Sequence, residues 1–431
     1  MNRPELTPKP SPMALLPLVI FFALYLVVSI VEGDFYKMPI PVAFVVASVV
    51  AIAMCKGRDF AQRVREFSHG ASDPNIMLMV WIFILAGAFA ASTKAMGAVD
   101  ATVNLTMELL PSRMLLVGIF TAACFISFAV GTSVGTVVAL VPIAVGIAPK
   151  IGVDVAYLTS IIVGGAFFGD NLSFISDTTI AATQSQGCTM KDKFKANILL
   201  VLPAAILVAA LYIFQGAEIV YPSSVEQVEW IKVIPYLAVI VLAIAGLNVM
   251  IVLIVGILLS GVIGLMSGGF DVWGYTQSLG DGIGGMGELI IITMLAGGLL
   301  ELIRLNGGLE WLIGALTRNV RNKRMAELSI ASLVSMANLC TANNTVAIIT
   351  TGKISKDISQ RFGVDPRRSA SILDTFSCFV QGLLPYGAQL LMASTLAGLY
   401  PIDIIKTLYY PMLIGLFGLL AIIFRFPRKY A

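Results

Sequence analysis

Residues 164–179 read GGAFFGDNLSFISDTT, and this stretch lies inside an apolar run that extends from residue 155 to residue 185. Asp170 and Asp177 therefore belong to a segment that is long enough to cross a bilayer. Ionisable residues inside membrane spans are costly in free energy, and they are functional candidates for that reason. The glycines before Asp170 and the polar residues after it disfavour a regular buried helix. The stretch thus predicts a transmembrane helix that unwinds around a polar site.

The composition of the whole chain agrees with a membrane location. Of its 431 residues, 58% are hydrophobic and only 12% are charged, whereas soluble domains carry roughly 25% charged residues. So little polar surface excludes a cytosolic enzyme, a nucleic-acid binder and a disordered scaffold. Five scattered cysteines without CxxC spacing indicate free thiols, and a single histidine, His69, cannot build a zinc or haem site. The composition predicts an all-α polytopic membrane protein.

The apolar runs give the positions of the predicted membrane segments. Their lengths favour helices, because every backbone polar group must be paired within lipid, and no alternating pattern of a β-barrel appears. The predicted segments are residues 13–31, 39–55, 75–92, 114–148, 155–185, 196–215, 231–247, 249–266, 288–304, 327–352, 369–399 and 403–424.

Clusters of Lys and Arg predict how the chain is oriented. They fall within residues 56–65, 191–195, 318–324, 353–368 and 425–429, and positive clusters of this kind favour the cytoplasmic side. Both termini are then predicted to be cytoplasmic. Residues 327–352 have cytoplasmic charge on both sides, so we expect a re-entrant hairpin there; one long broken helix is the alternative.

The two halves of the chain resemble each other at a spacing of about 210 residues, as Leu85-Ala86-Gly87 and Leu295-Ala296-Gly297 show. Three further matches follow in the same order: Gly97 with Gly307, polar breaks at 131–136 and 341–345, and Gly-Val-Asp at 152–154 and 363–365. The charge pattern orients the copies oppositely, which is typical of secondary transporters. We therefore predict two inverted repeats, 1–220 and 221–431, each with five spans and one hairpin. The first hairpin, 114–148, would enter from outside.

Polar residues at the predicted breaks supply carboxylate, amide, hydroxyl and carbonyl oxygens, which suit a small hard cation. The candidates for ion binding and proton exchange are Asp177, Asp170, Asn171, Ser173, Ser176, Thr178 and Asp374. The candidates for substrate contacts at the hairpin tips are Thr132, Ser133, Thr136, Asn343, Asn344 and Thr345. As alternatives, the aspartates cap helix ends or line a cytoplasmic vestibule, and a tip Asn is a turn residue.

The run from Gly165 to Thr179, the Gly131–Thr136 segment, and Ser369–Asp374 with Leu384-Pro385 closely resemble motifs of the NhaC-type Na+/H+ antiporter family. The resemblance covers most of the chain from about residue 75. It implies a bacterial inner-membrane protein that exchanges cations, and the family includes malate/lactate-coupled Na+ exchangers. Better-known members carry Lys where this chain has Asn171 and Pro where it has Phe174.

The leading hypothesis is Na+/H+ antiport by alternating access, with a carboxylate that holds either ion. Asp177 is the first choice for this carboxylate and Asp170 the second, so Na+ would bind at both. No GxxxxGK[ST] motif is present, and an ion gradient would therefore drive transport. The expected partners are Na+, H+ and the lipid bilayer, with a homodimer left open, and neither nucleic acid nor a cofactor is expected.

Three other functions remain as alternatives. Na+-coupled transport of an organic anion or amino acid is the second hypothesis, although the lack of an evident buried Lys or Arg argues against a dicarboxylate. An ion channel fits the inverted repeat poorly, because alternating access needs no continuous pore. An enzyme is disfavoured because no set of nucleophile, histidine and acid is present.

Overall fold

The computed structural model describes residues 9–32, 38–55, 57–174, 176–221, 227–318 and 320–429. In these ranges the regular secondary structure is helical and contains no β-strand. Seven helical stretches are long and apolar enough to cross a membrane, and five further apolar helices have 10–17 residues. The chain is therefore an all-α, multi-pass membrane protein.

The described residues of the first half form ten α-helices, with short 3-10 turns at Pro12–Leu15 and Ser112–Met114. The helices are α1 (Leu16–Glu32), α2 (Ile40–Met54), α3 (Phe60–Ala71), α4 (Pro74–Ala95), α5 (Ala98–Leu109), α6 (Leu115–Val130), α7 (Ser133–Ile151), α8 (Val155–Leu172), α9 (Asp177–Gln186) and α10 (Met190–Gly216).

The second half contains eleven α-helices in the described part of the chain. They are α11 (Trp230–Ile244), α12 (Val249–Met266), α13 (Val272–Gly285), α14 (Gly287–Leu305), α15 (Gly308–Thr317), α16 (Lys323–Thr341), α17 (Asn344–Phe362), α18 (Pro366–Gln381), α19 (Ala388–Ala397), α20 (Pro401–Ile405) and α21 (Tyr409–Phe424).

Four short helices, α3, α5, α13 and α15, lie where the hydropathy pattern predicts loops. Their sequences contain too many polar residues or glycines to stand out as apolar runs. Local signals nevertheless start two of them: Asp59 and Gln62 form a capping box at α3, and Asp271 caps α13. The predicted apolar segments therefore do not include these four helices.

The same caps recur at corresponding places in the two halves. A glycine in the left-handed conformation precedes α5 (Gly97, φ 82°) and α15 (Gly307, φ 80°). Asp154 caps α8 by accepting a backbone N–H, and Asp365 caps α18 in the same way. The repeat seen in the sequence thus coincides with the residues that start and end helices.

Each half also contains a pair of neighbouring helices that pack against each other, α6 with α7 and α16 with α17. The first pair turns at Gly131, and the second at Ala342, which takes the left-handed conformation (φ 52°) despite its side chain. Thr132 and Asn343 then cap the helices that follow. These two turns, residues 131–132 and 342–343, are called the hairpin tips below.

Helices of each half pack against helices of the other half. Helix α9 packs on α17 while α19 packs on α7, and α4 packs on α13 while α14 packs on α3. The α4–α13 crossing is so close that a Cβ on Gly282 would lie 2.2 Å from the Gly87 carbonyl oxygen. The α14–α3 crossing repeats this, with a Cβ on Gly70 falling 2.5 Å from the Gly297 oxygen. Each half therefore completes the packing of the other.

Candidate ion-binding site

A cavity of about 130 Å³ lies where the two hairpin tips meet the gap between α8 and α9. Because one water occupies about 30 Å³ in the liquid, this volume suits a small ion with a few waters or a small organic molecule. The polar residues that line it are Thr132, Ser133, Asp170, Ser176, Asp177, Thr178, Asn343, Asn344, Thr345 and Gln389. Nine of them are candidates predicted from the sequence, and Gln389 is the tenth.

Asp170 forms the buried end of this cavity. It lies in the last turn of α8 and is only 4% exposed. The backbone N–H of Ser133, in the first turn of α7, donates to its Oδ1 atom at 3.2 Å. Asp170 was predicted in an unwound stretch, but α8 stays regular through Leu172 because Ser173 ends it. The predicted break is therefore present but begins after Asp170.

Asp177 occupies the other end of the cavity. It is the first residue of α9 and is exposed, unlike Asp170. The gap in the helix separates the two aspartates, so they do not share one helical face as uninterrupted spacing would require. One of the two acids therefore lies deep in the cavity and the other lies at its mouth.

Other candidates around the gap are fixed by hydrogen bonds. Thr178 donates to the Asp170 carbonyl at 3.1 Å, and its hydroxyl lies 2.8 Å from that of Ser176. Ser173 is fully buried at the end of α8 but does not line the cavity. Thr136 also lies outside the lining, since it is fully buried and its hydroxyl donates to the Thr132 carbonyl.

The second hairpin tip contributes through its first residues. Asn343 caps α17 by accepting from the Val346 N–H at 3.0 Å. The side chain of Asn344 accepts from the Thr345 N–H and also contacts the sulfur of Cys378. These asparagines therefore act as turn residues, which was the alternative interpretation of the sequence. They also line the cavity.

Two glutamines connect the hairpin tips. Gln381 donates to the Ala342 carbonyl at 2.9 Å and to Gln389 at 2.9 Å. Gln389 in turn donates to the Ser133 hydroxyl at 2.9 Å. A movement of either tip would therefore disturb the other through three hydrogen bonds.

Asp374 lies behind the cavity, not in its lining, and is completely buried. Its Oδ2 atom is 2.9 Å from the Lys193 ammonium, which is itself 1% exposed. Asn171 and Asn197 also donate to this oxygen, at 3.1 and 2.9 Å. Asp374 is thus a paired acid in this structure.

Lys193 and Asn197 are residues that the sequence interpretation missed. Lys193 was assigned to a cytoplasmic basic cluster, together with Lys191 and Lys195, yet only its two neighbours are exposed. The spacing of Lys193 and Asn197 places both on one face of α10, which is the signal that was available. The expectation of no buried lysine was therefore wrong, because α10 turns this face toward Asp374.

Four helix N-termini also meet at the cavity, those of α7, α9, α17 and α19. Such ends carry unpaired N–H groups and partial positive charge. Side chains cap α7 and α17, whereas Ser176 and Gly387 make no such cap at α9 and α19. The cavity thus offers carboxylate oxygens to a cation and backbone N–H groups to an anion.

Among the described residues, no three His, Cys, Asp or Glu side chains form a metal-binding group.

The chain was compared with known proteins. The family model described as "Na+/H+ antiporter family" matches residues 13–217 and 220–427. The chain is 23% identical over 413 residues to the Malate-2H(+)/Na(+)-lactate antiporter of Bacillus subtilis, covering 86% of each. It is 25% identical over 386 residues to the Na(+)/H(+) antiporter NhaC of the same organism, covering 80% of this chain and 83% of the relative.

A solved structure with more distant similarity is that of the Alcanivorax borkumensis YdaH transporter, described as having an unusual topology. It aligns over 97% of this chain and 99% of its own, with 13% identity and a TM-score of 0.42.

Proposed function

Because this chain belongs to the Na+/H+ antiporter family, we propose that it exchanges Na+ for H+ with Asp170 as the residue that holds either ion. The chain is thus a transporter and not an enzyme. The single observation that supports the choice of Asp170 is its place at the buried end of the cavity, against the tip of the first hairpin.

The burial of Asp170 gives the physical reason for exchange. An ionised carboxylate removed from water is costly unless a cation or several hydrogen bonds compensate it. The backbone N–H and the side chain of Ser133 are neutral donors that compensate it only in part, so binding either a proton or Na+ is favourable. The two ions therefore compete for one site, and an empty site is too costly to move across the membrane.

Asp177 takes a different part in this proposal. As an exposed carboxylate at the mouth of the same cavity, it attracts cations that approach from outside. Ser176 and Thr178 stand beside it and supply hydroxyl oxygens. The four residues Asp170, Ser176, Asp177 and Thr178 thus form a path from the mouth to the buried end.

Alternating access follows from the two-fold arrangement of the halves. We propose that 1–220 and 221–431 are inverted repeats in a bacterial inner membrane, with both termini cytoplasmic. Each hairpin would enter from one side, and their tips would close the cavity alternately. The exchanged contacts of α9 with α17 and of α19 with α7 support this arrangement.

The test is to compare Asp170→Asn with Asp177→Asn in proteoliposomes that contain a pH-sensitive dye. Asp170→Asn should abolish Na+-dependent proton movement, because an amide neither binds a proton nor balances Na+. Asp177→Asn should retain exchange but require a higher Na+ concentration. If Asp170→Asn exchanges like the unaltered protein, the proposed role of Asp170 is wrong; if only Asp177→Asn is inactive, the exchange residue is Asp177.

Na+-coupled transport or exchange of a small organic anion is a second candidate, and the four helix N-termini at the cavity favour it. Uncapped N–H groups at α9 and α19 suit a carboxylate. A Bacillus subtilis relative is named a malate and lactate antiporter. No Lys or Arg is among the described lining residues, so the N-termini would bind the anion alone. Counterflow of labelled malate, lactate and amino acids tests this, and uptake of none of them excludes these substrates.

A further inference from the structure

The proposed exchange at Asp170 gives no role to the buried ammonium of Lys193. This group lies in the interior, at the end of α8, although it belongs to the first turns of α10. Three oxygens surround it: the Asn171 carbonyl at 2.8 Å, the Thr179 hydroxyl at 2.7 Å and Asp374 Oδ2 at 2.9 Å. All three N–H bonds of the ammonium therefore have an acceptor.

These three acceptors are of the kinds that bind a hard cation, namely a backbone carbonyl, a hydroxyl and a carboxylate. The Asn171 carbonyl is in the last turn of α8, where carbonyls lack partners within the helix. The Lys193 ammonium thus contacts oxygens that lie at the break between α8 and α9.

The surroundings of the Lys193 ammonium contain more buried oxygens than it contacts. Asp374 Oδ1 is buried and has no hydrogen-bond partner in the described part of the chain, and the same holds for Asn197 Oδ1. Both residues contact the lysine cluster directly, since Asn197 donates to Asp374 Oδ2. An ordinary buried ion pair is stable only when its remaining polar atoms are satisfied. These two buried oxygens without hydrogen-bond partners indicate that the cluster suits a cation that takes more ligands than the three of an ammonium.

We propose that Lys193 fills a second monovalent-cation site, in which its ammonium takes the place of a Na+ ion. Its ligands would be Asp374, the Asn171 carbonyl and the Thr179 hydroxyl, with Asn197 beside them. The lysine thereby restricts the protein to the one exchangeable site at Asp170. This proposal rests on the proposed exchange only for the choice of Na+ as the ion.

Removal of the lysine side chain tests the proposal directly. In Lys193→Ala, the space and the oxygens become available, and an uncompensated Asp374 charge favours cation binding. We expect the purified full-length variant to bind one more Na+ per protein than the unaltered protein in a radiolabelled 22Na+ binding assay. Ammonium ions should displace this additional Na+ but not the Na+ bound by the unaltered protein.

Two variants serve as controls. Lys195→Ala removes an exposed lysine of the same helix and should bind as many Na+ ions as the unaltered protein. Lys193→Ala/Asp374→Asn removes the carboxylate as well and should lose the additional Na+. If folded Lys193→Ala binds no more Na+ than the unaltered protein, the second site does not exist. If the unaltered protein itself binds no Na+, the exchange at Asp170 is what fails.

Thermal stability provides a second measurement, because Lys193→Ala leaves a buried acid unpaired. Its melting temperature should be higher in NaCl than in choline chloride, by a wider margin than for the unaltered protein. The double variant should lose this extra margin. Equal margins in Lys193→Ala and the unaltered protein, or a variant that fails to fold even in NaCl, would contradict the proposal.

Discussion

Asp170 and Asp374 are both buried carboxylates, and they differ in what compensates their charge. Asp374 receives an ammonium and two amide groups at its Oδ2 atom. Asp170 is hydrogen-bonded by the backbone N–H and the side chain of Ser133. A buried carboxylate that is paired with an ammonium is better compensated than one that is hydrogen-bonded to a neutral residue. The two aspartates therefore differ in function because their surroundings differ, although they are the same residue type.

Asp374→Asn should be strongly destabilising, because it leaves the Lys193 ammonium buried without a counter-charge. The expected loss is about 3–5 kcal/mol of unfolding free energy, which is typical when one partner of a buried pair is removed. Glu229→Gln, in the exposed pair with Lys232, should cost less than about 1 kcal/mol. Thermal unfolding in detergent measures both variants, and equal small effects would show that the buried pair contributes little.

At the scale of helices, close glycine contacts decide how the two halves fit together. Gly282 in α13 contacts Gly87 in α4, and Gly70 in α3 contacts Gly297 in α14. Small residues allow membrane helices to approach closely, and packing of this kind replaces the hydrophobic effect that lipid does not provide. Gly87 and Gly297 are partners in the internal repeat, so the repeated motif corresponds to a repeated helix crossing.

Gly282→Ala should separate α4 from α13, because the added Cβ would lie 2.2 Å from a backbone oxygen that cannot rotate away. We expect a loss of about 1–3 kcal/mol of unfolding free energy, as for other overpacked cores. Gly284→Ala on the same helix is the matched control, since nothing lies within 4 Å of its Cβ. It should be neutral or stabilising, because Ala favours a helix over Gly. Similar losses for both variants would rule out the crossing as the cause.

At the scale of the whole molecule, helices of each half pack on helices of the other. Helices α3 and α13 hold matching places in the predicted repeats, and each packs on the other half. If the repeats are inverted, as we propose, these two helices face opposite sides of the membrane. The opposite orientation would let one hairpin open to each side.

Single cysteines at Arg65 and Gln277, exposed positions of α3 and α13, test this orientation. In a Cys188→Ser background, which removes the native thiol that is not buried, a membrane-impermeant maleimide should label Arg65→Cys only from the cytoplasmic side. Gln277→Cys should be labelled only from outside. Labelling of both positions from one side would mean that the halves run in the same direction.

The sequence by itself determined the features that depend on neighbouring residues. Apolar runs predicted an all-helical membrane protein, because backbone pairing in lipid leaves little choice but helix. Polar and glycine residues located both hairpin tips, and the Gly-Val-Asp motifs marked where α8 and α18 begin. The short helices α3, α5, α13 and α15 escaped detection, because capping and packing stabilise them more than hydropathy does.

Only the tertiary structure decided which acids are buried and which groups neutralise them. Asp170 and Asp177 are similar in sequence context, yet the first hairpin tip covers one and leaves the other at the mouth. Lys193 belongs by sequence to a basic cluster, but it meets Asp374 from the other half of the chain. Burial and charge pairing arise from segments far apart in the chain, so local spacing alone does not determine them.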